Sequence, residues 1–237
     1  MTTSRNLCMI PARGGSKRIP HKNIHDFLGK PLIAYSIDAA LQSGIFEHVI
    51  VSTDDEEIAA CAKKCGAEVP YLRNHKLADD FTGTFAVTED AWRHACSAGF
   101  KPDCVCCLYA TAPLLTAARL KKAWDFYQEQ HADYVYGCCE FPFPIQRSQF
   151  LDDNLSPTPV MPEYMNARSQ DLRPAYQDAG QFYFYSPGCF EHHSTNFPGS
   201  VKRGFILPRH LVVDIDTPED LLCAMAMAKA LKELHLD

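Results

Sequence analysis

The sequence predicts an α/β protein whose mostly parallel sheet carries helices on both faces. Three observations lead there. Apolar runs alternate with helical patterns through the first 140 residues, the rhythm of repeated βα units. The first apolar run breaks into a loop with two glycines and four cations, Arg13, Lys17, Arg18 and Lys22. Far along the chain, Asp214-Ile-Asp216 stands just ahead of a well-capped helix. Ligands of such sheets sit beyond the C-terminal strand ends, so the cationic loop lies at the expected binding edge.

Leu7–Ala12 reads as the first strand. Leu32–Gln42 is helical, with Ile33, Ile37, Ala40 and Leu41 on one face. His48–Thr53 is a buried strand, and Asp54 at its end is expected to cap the next helix. That helix, Asp55–Cys65, stops at Gly66. Ala67–Leu72 is expected to be a short strand and Thr84–Ala98 a helix ending at Gly99. Asp103–Ala110, Thr116–Gln130 and Asp133–Cys139 continue as strand, helix and strand. The rhythm then fails. Prolines at 142, 144, 157, 159, 162 and 174 make residues 140–179 an irregular inserted arm, expected to cover the site or to pair two subunits. Gln181–Tyr185 and Phe205–Leu207 are strand-like, and Thr217-Pro-Glu-Asp220 opens the last helix with a hydroxyl cap, a first-turn proline and early acids.

The chain of 237 residues is read as a single domain, residues 1–237, carrying this arm. Its net charge of −6 argues against a general nucleic-acid binder, which would need a basic face. No run is long and apolar enough for a membrane span, and the polar Met1–Arg5 shows no signal peptide. Eleven cysteines without a leader fit a reducing cytoplasm, where thiols mostly serve as small buried hydrophobes.

Two motifs carry chemistry. Ile10-Pro-Ala-Arg-Gly-Gly-Ser-Lys-Arg-Ile-Pro-His-Lys-Asn23 puts glycines, whose backbone can approach an anion, among cations that neutralise it. It lacks the Gly-Lys-Ser/Thr ending of a Walker loop and is not Gly-x-Gly-x-x-Gly. A polyphosphate is the expected ligand. Asp214 and Asp216 alternate on an extended segment, so both face one side. Such a pair suits a hard divalent cation, Mg²⁺, which accompanies polyphosphates. Leu108-Tyr-Ala-Thr-Ala-Pro-Leu114 ends the central strand with small residues that let a ligand lie against the backbone.

The Ile10–Asn23 signature and Asp214-Ile-Asp216 with its Thr-Pro-Glu-Asp continuation resemble the CMP-sialic acid synthetases, the acylneuraminate cytidylyltransferases. The similarity runs over nearly the whole chain. Leu108–Pro113, Arg168-Ser-Gln-Asp-Leu172 and Asp178-Ala-Gly-Gln-Phe-Tyr183 look most like the branch acting on pseudaminic acid. Tyr109 replaces a glutamine typical of the sialate branch, and Asp171-Leu-Arg-Pro-Ala-Tyr176 departs from the usual Asp-Leu-Pro-Glu-Ala-Tyr.

The resemblance implies a Rossmann-like nucleotidyltransferase fold and a reaction of CTP with a nine-carbon 2-keto sugar acid. It implies catalytic Arg13, Lys22, Asp214 and Asp216, the two aspartates also holding the metal. Ala12, Arg13, Gly14, Gly15, Ser16, Lys22, Asn23, Arg73, Thr82 and Thr84 would hold the nucleotide, with Asn23 at the ribose. Tyr109, Thr111, Arg168, Gln170, Asp171, Gln181 and Phe182 would hold the sugar. It also implies a homodimer in which Arg147 reaches the partner's sugar carboxylate. The same chemistry on N-acetylneuraminic or legionaminic acid, and a non-catalytic nucleotide-binding protein, remain open alternatives.

Overall fold

The computed structural model describes residues 5–236. In chain order its elements are β1 (Asn6–Pro11), a hairpin of β2 (Asp26–Phe27) and β3 (Lys30–Pro31), α1 (Leu32–Ser43), β4 (His48–Ser52), α2 (Glu56–Lys64), α3 (Thr84–Ser97) and β5 (Cys104–Leu108). There follow α4 (Ala117–Glu129), β6 (Tyr134–Glu140), a second hairpin of β7 (Gln149–Leu151) and β8 (Pro157–Pro159), β9 (Tyr176–Tyr185), α5 (Pro187–Glu191), β10 (Lys202–Ile206) and α6 (Pro218–Leu234). The main sheet runs β10-β6-β9-β5-β1-β4. All its pairings are parallel except those of β9, which runs antiparallel to β5 and β6.

The reversal of β9 explains the arm. Glu140 pairs with Tyr176, Cys139 with Gln177 and Cys138 with Asp178, so the chain leaves β6 and returns beside it. Pairing resumes at Tyr176, three residues before the expected end of the arm at 179, because Tyr176, Gln177 and Asp178 already find partners on β6. Within the arm, β7 and β8 form their own hairpin.

Other expectations shift for local reasons. Ala67–Leu72 is not a strand: only Glu68 bridges to Ile50, and Pro70 cannot donate to a ladder. The helix after β4 is capped by Asp55, whose Oδ1 accepts from the N–H groups of Glu57 and Ile58; Asp54 does not cap it. The Asp26–Pro31 hairpin escaped the sequence reading because its strands are two residues long, turned by Leu28 and Gly29 in left-handed conformation.

Helices α1, α2 and α4 pack on one face of the sheet around Ile10, Val51 and Leu108; α3 and α5 cover the other around Leu7, Met9 and Tyr183. The final helix joins neither layer. Its Leu221 and Ala224 pack with Ile19, Phe27 and Ile215. That contact brings Asp214 and Asp216 to the same sheet end as the cationic loop. Cys104 and Cys107 have Cys-x-x-Cys spacing, yet on a strand that offset sends the thiols to opposite faces, one into each core. Burial pushes both thiols up, away from the reactive thiolate. No described helix is long and apolar enough to cross a membrane.

Phe182 does not join the sugar side. Strand alternation turns it into the α4 layer, wholly buried, with its ring centroid 5.6 Å from Phe184 and 6.0 Å from Phe205. Phe182→Ala should therefore cost about 3–5 kcal/mol of stability, read from the urea midpoint. An unchanged midpoint would place the ring in the cleft instead.

Candidate active site

An open cleft of about 560 Å³ lies at the C-terminal ends of β1 and β5. Its wall includes Arg13, Ser16, Lys22, Asn23, Arg73, Thr82, Thr84, Tyr109, Thr111, Asp214 and Asp216, so eleven of the expected residues converge. Lys17, Arg18 and Asp80 also line it.

The loop after β1 is held from within. The Ala12 N–H donates to the Ser52 carbonyl at 2.9 Å, and the Asn23 amide donates to the Arg13 carbonyl at 3.0 Å. Asn23 is thus a buried brace of the loop as well as a wall of the cleft. The Gly14 N–H donates to Asp54 Oδ1 at 3.0 Å and is already committed, whereas a Cβ at Gly15 would meet open space. Gly14 itself is obligatory: a Cβ there would come within 2.6 Å of Asp55 Oδ2.

Lys22 reaches across the cleft. Its Nζ donates to the Ile215 carbonyl at 2.7 Å and to Asp216 Oδ1 at 3.2 Å, and Arg18 meets Asp216 Oδ2 at 2.9 Å. Asp214 has no hydrogen-bond or ion-pair partner among the described residues. Its carboxyl is pushed up, first by burial and then by the charge of Asp216, against a smaller opposing pull from Lys22. A half-buried, partnerless carboxylate beside a second one fits a divalent cation. Two protein oxygens leave further positions for phosphate oxygens and water, the arrangement Mg²⁺ favours.

Arg13 and Lys17 are engaged from the other side. Arg13 Nη1 and Lys17 Nζ sit 2.6 and 2.5 Å from the two oxygens of Asp80, whose carboxyl they hold below its ordinary range. Asp79 shapes that turn by accepting from the N–H groups of Phe81 and Thr82 and from the Thr82 hydroxyl. Asp80 thus occupies the cations that a polyphosphate would need. The sequence gives no sign of this, since residue 80 lies 67 positions from Arg13.

Deeper in, Arg73 is almost wholly buried, and two of its guanidinium nitrogens have no hydrogen-bond acceptor. Thr84 Oγ1 lies 2.9 Å from the Tyr109 hydroxyl, and burial pushes the phenol of Tyr109 up. The Tyr109 ring lies 5.3 Å from that of Tyr183, whose hydroxyl donates to Asp178 Oδ1 at 2.9 Å.

Several expected sugar residues lie elsewhere in the single chain. Gln181 is buried, and its amide donates to the Leu211 carbonyl at 2.7 Å, bracing the approach to Asp214. Phe182 is in the core. Arg168 pairs with Asp171 at 2.7 Å on the exposed arm, and Gln170 lines a separate depression with Phe141 and Pro174. Arg147 Nη1 donates to Ser169 Oγ at 3.2 Å in the same arm.

A parallel sheet with a cation-rich loop at its first strand end, facing a carboxylate pair and small backbone residues, defines a nucleotide-binding transferase. The sequence agrees. The profile of the family described as "Cytidylyltransferase" matches residues 7–181. A pseudaminic acid cytidylyltransferase of Campylobacter jejuni subsp. jejuni serotype O:2 is 47% identical over 95% of this chain and 97% of the relative. A CMP-N,N'-diacetyllegionaminic acid synthase of Legionella pneumophila is 31% identical over 98% of this chain and 97% of its own length. The solved CMP:2-keto-3-deoxy-manno-octonic acid synthetase, complexed with CTP, shares the fold at a TM-score of 0.71 and 18% identity, covering 96% of this chain and 99% of that one. This chain belongs to the cytidylyltransferase family and is a nucleotidyltransferase.

The Asp80 contact yields a test. Asp80→Asn should tighten tripolyphosphate binding about two- to tenfold at low salt, with the gain fading as salt rises. Calorimetry that finds equal affinities at every salt concentration would mean that Asp80 does not compete for the cations.

Proposed function

We propose that this enzyme transfers CMP from CTP to pseudaminic acid, giving CMP-pseudaminic acid and pyrophosphate, in the cytoplasm. The observation that carries the chemistry is the junction made by Lys22, which joins the cationic loop to Asp216 across one cleft. The 47% identical relative, named for pseudaminic acid, and Tyr109 in the cleft wall support the choice of sugar.

Phosphoryl transfer needs positioning and charge neutralisation more than a covalent catalyst. Arg13, Lys17 and Lys22 carry the charge for the triphosphate once Asp80 gives way, and Ser16 adds a hydroxyl on the same wall. The anomeric hydroxyl of the sugar attacks the α-phosphate in line and gives up its proton to water, the new P–O bond forming as the bond to pyrophosphate breaks. Asp214 and Asp216 are the residues that would hold Mg²⁺, which when bound neutralises the α-phosphate and lowers the pKa of the attacking hydroxyl. Tyr109 and Thr111 wall the sugar side. Among the described residues that line the cleft there is no histidine to act as a base.

Pyrophosphate release from CTP and Mg²⁺ is expected with pseudaminic acid and not with N-acetylneuraminic acid. Turnover with legionaminic or N-acetylneuraminic acid alone would keep the chemistry and change the sugar; CTP binding without release on any acid would favour a non-catalytic protein. Each charge-assisted contact contributes roughly 1.5–3 kcal/mol. Arg13→Ala should therefore lower kcat/KM about ten- to a hundredfold. Asp214→Asn should abolish the Mg²⁺ dependence while slightly raising the melting temperature of the metal-free protein, because it removes a carboxylate whose ionisation the fold disfavours.

The working unit is proposed to be a homodimer joined through the arm. Phe143, Phe150, Leu151 and Leu155 project there largely exposed, a cluster of apolar surface that a second copy would cover. Pairing would also carry Arg147, Arg168, Gln170 and Asp171 toward a partner's cleft. Sedimentation should give the mass of two chains, and Phe150→Glu with Leu155→Glu should give one chain with an unchanged far-UV spectrum and reduced turnover. A wild-type monomer at micromolar concentration would end this part of the proposal.

A further inference from the structure

Asp54 lies two residues beyond the end of β4, and its side chain is only 17% exposed. Its Oδ1 has two neighbours. The Gly14 N–H donates to it at 3.0 Å, and Arg73 Nη2 stands 3.9 Å away. Those neighbours serve different parts of the cleft: Gly14 belongs to the cationic loop, whose Arg13 and Ser16 line it, and Arg73 supplies another part of the wall. The remaining fixtures come from the same turn of chain. Asp55 packs against the Cα of Gly14, and the Arg73 N–H donates to the Thr53 carbonyl at 2.7 Å. Thr53, Asp54 and Asp55 therefore clamp both parts of the wall to the end of β4.

The electrostatics single out Asp54 among the three. The guanidinium of Arg73 is 3% exposed, and Nε and Nη2 have no hydrogen-bond acceptor. A buried cation without acceptors is costly. At 3.9 Å, Asp54 supplies an opposite charge to Arg73 without accepting a hydrogen bond from those buried N–H groups. Removal of that charge would leave the cation with only the weaker influence of Tyr71 and Asp90.

We propose that Asp54 is a positioning residue that couples the phosphate loop to Arg73, holding the loop by hydrogen bonding and the arginine by charge so that one nucleotide meets both parts of the wall in register. Arg73, which lines the cleft, is then held in place along the nucleoside part of the ligand. This inference rests on the reading that the cleft takes CTP.

The two functions of Asp54 separate by substitution. Asp54→Asn keeps an oxygen for the Gly14 N–H and removes the charge facing Arg73. By calorimetry, tripolyphosphate affinity should stay within about twofold of wild type, while CMP affinity falls about tenfold. Asp54→Ala removes both contacts, and affinity for both ligands should fall. In an Arg73→Gln background, Asp54→Asn should add little further loss on CMP, because the partner charge is already gone. Melting temperatures of all variants separate these effects from misfolding, and the CMP-to-tripolyphosphate ratio within each variant is independent of the folded fraction. Equal losses on both ligands in Asp54→Asn, or additive losses in the double variant, would overturn the coupling. Failure of the wild-type chain to bind CTP would instead strike the functional reading and leave the Asp54 geometry untouched.

Discussion

The site depends on one reach across the fold. Lys22 leaves the loop after the first strand and meets the Ile215 carbonyl and Asp216, residues 193 and 194 positions later in the chain. Its Nζ is the point where the two strongest sequence motifs become one surface. The contact is largely sheltered, with the lysine side chain 19% exposed, so solvent screens it less than a surface pair. What makes it possible is apolar: Ile19 and Phe27 of the loop region pack against Ile215, Leu221 and Ala224. Burial of these side chains fixes the last helix to the first loop, and the charges then face one another.

Charge within the cleft is divided unequally. Arg13 and Lys17 share Asp80, and Asp216 takes Arg18 and Lys22. Apart from the sheltered Lys22 contact, these are exposed pairs of modest strength, which a ligand with several negative charges can exchange at little cost. Arg73 and Asp214 are different. Among the described residues, one is a buried cation with nitrogens lacking acceptors, the other a half-buried carboxylate lacking a hydrogen-bond or ion-pair partner. The fold carries the cost of both, and a polyphosphate with a divalent cation supplies the charges each lacks. Strain of this electrostatic kind is characteristic of working sites.

The arm follows a separate logic. It leaves and re-enters the sheet through adjacent antiparallel partners, so its length changes nothing in the register of β6 and β9. An excursion anchored this way can carry exposed Phe143, Phe150 and Leu155 without disturbing the core. Arg168 and Asp171 satisfy each other there, at a distance from the cleft of their own chain.

The sequence by itself determined the layered α/β class, most of the βα units and both charged motifs, because these are local: strand and helix periods, caps such as Thr217, and cations crowded between Arg13 and Lys22. Arg13, Tyr109 and Thr111 reach the cleft for the same reason, since each follows a strand end, whereas Asp214 and Asp216 are brought there by the packing of the last helix. Tertiary structure alone decided the rest. Phe182 and Gln181 are neighbours on one strand, and only packing against α4 on one face and Leu211 on the other shows that neither lines the cleft. Asp54 reads locally as a helix cap, yet the cap is Asp55, and Asp54 is turned to Gly14 and Arg73. Asp80 finds Arg13 only through the fold. Hydrogen bonds and ion pairs between distant residues depend on side-chain direction at ångström scale, and a sequence pattern fixes direction only along its own element.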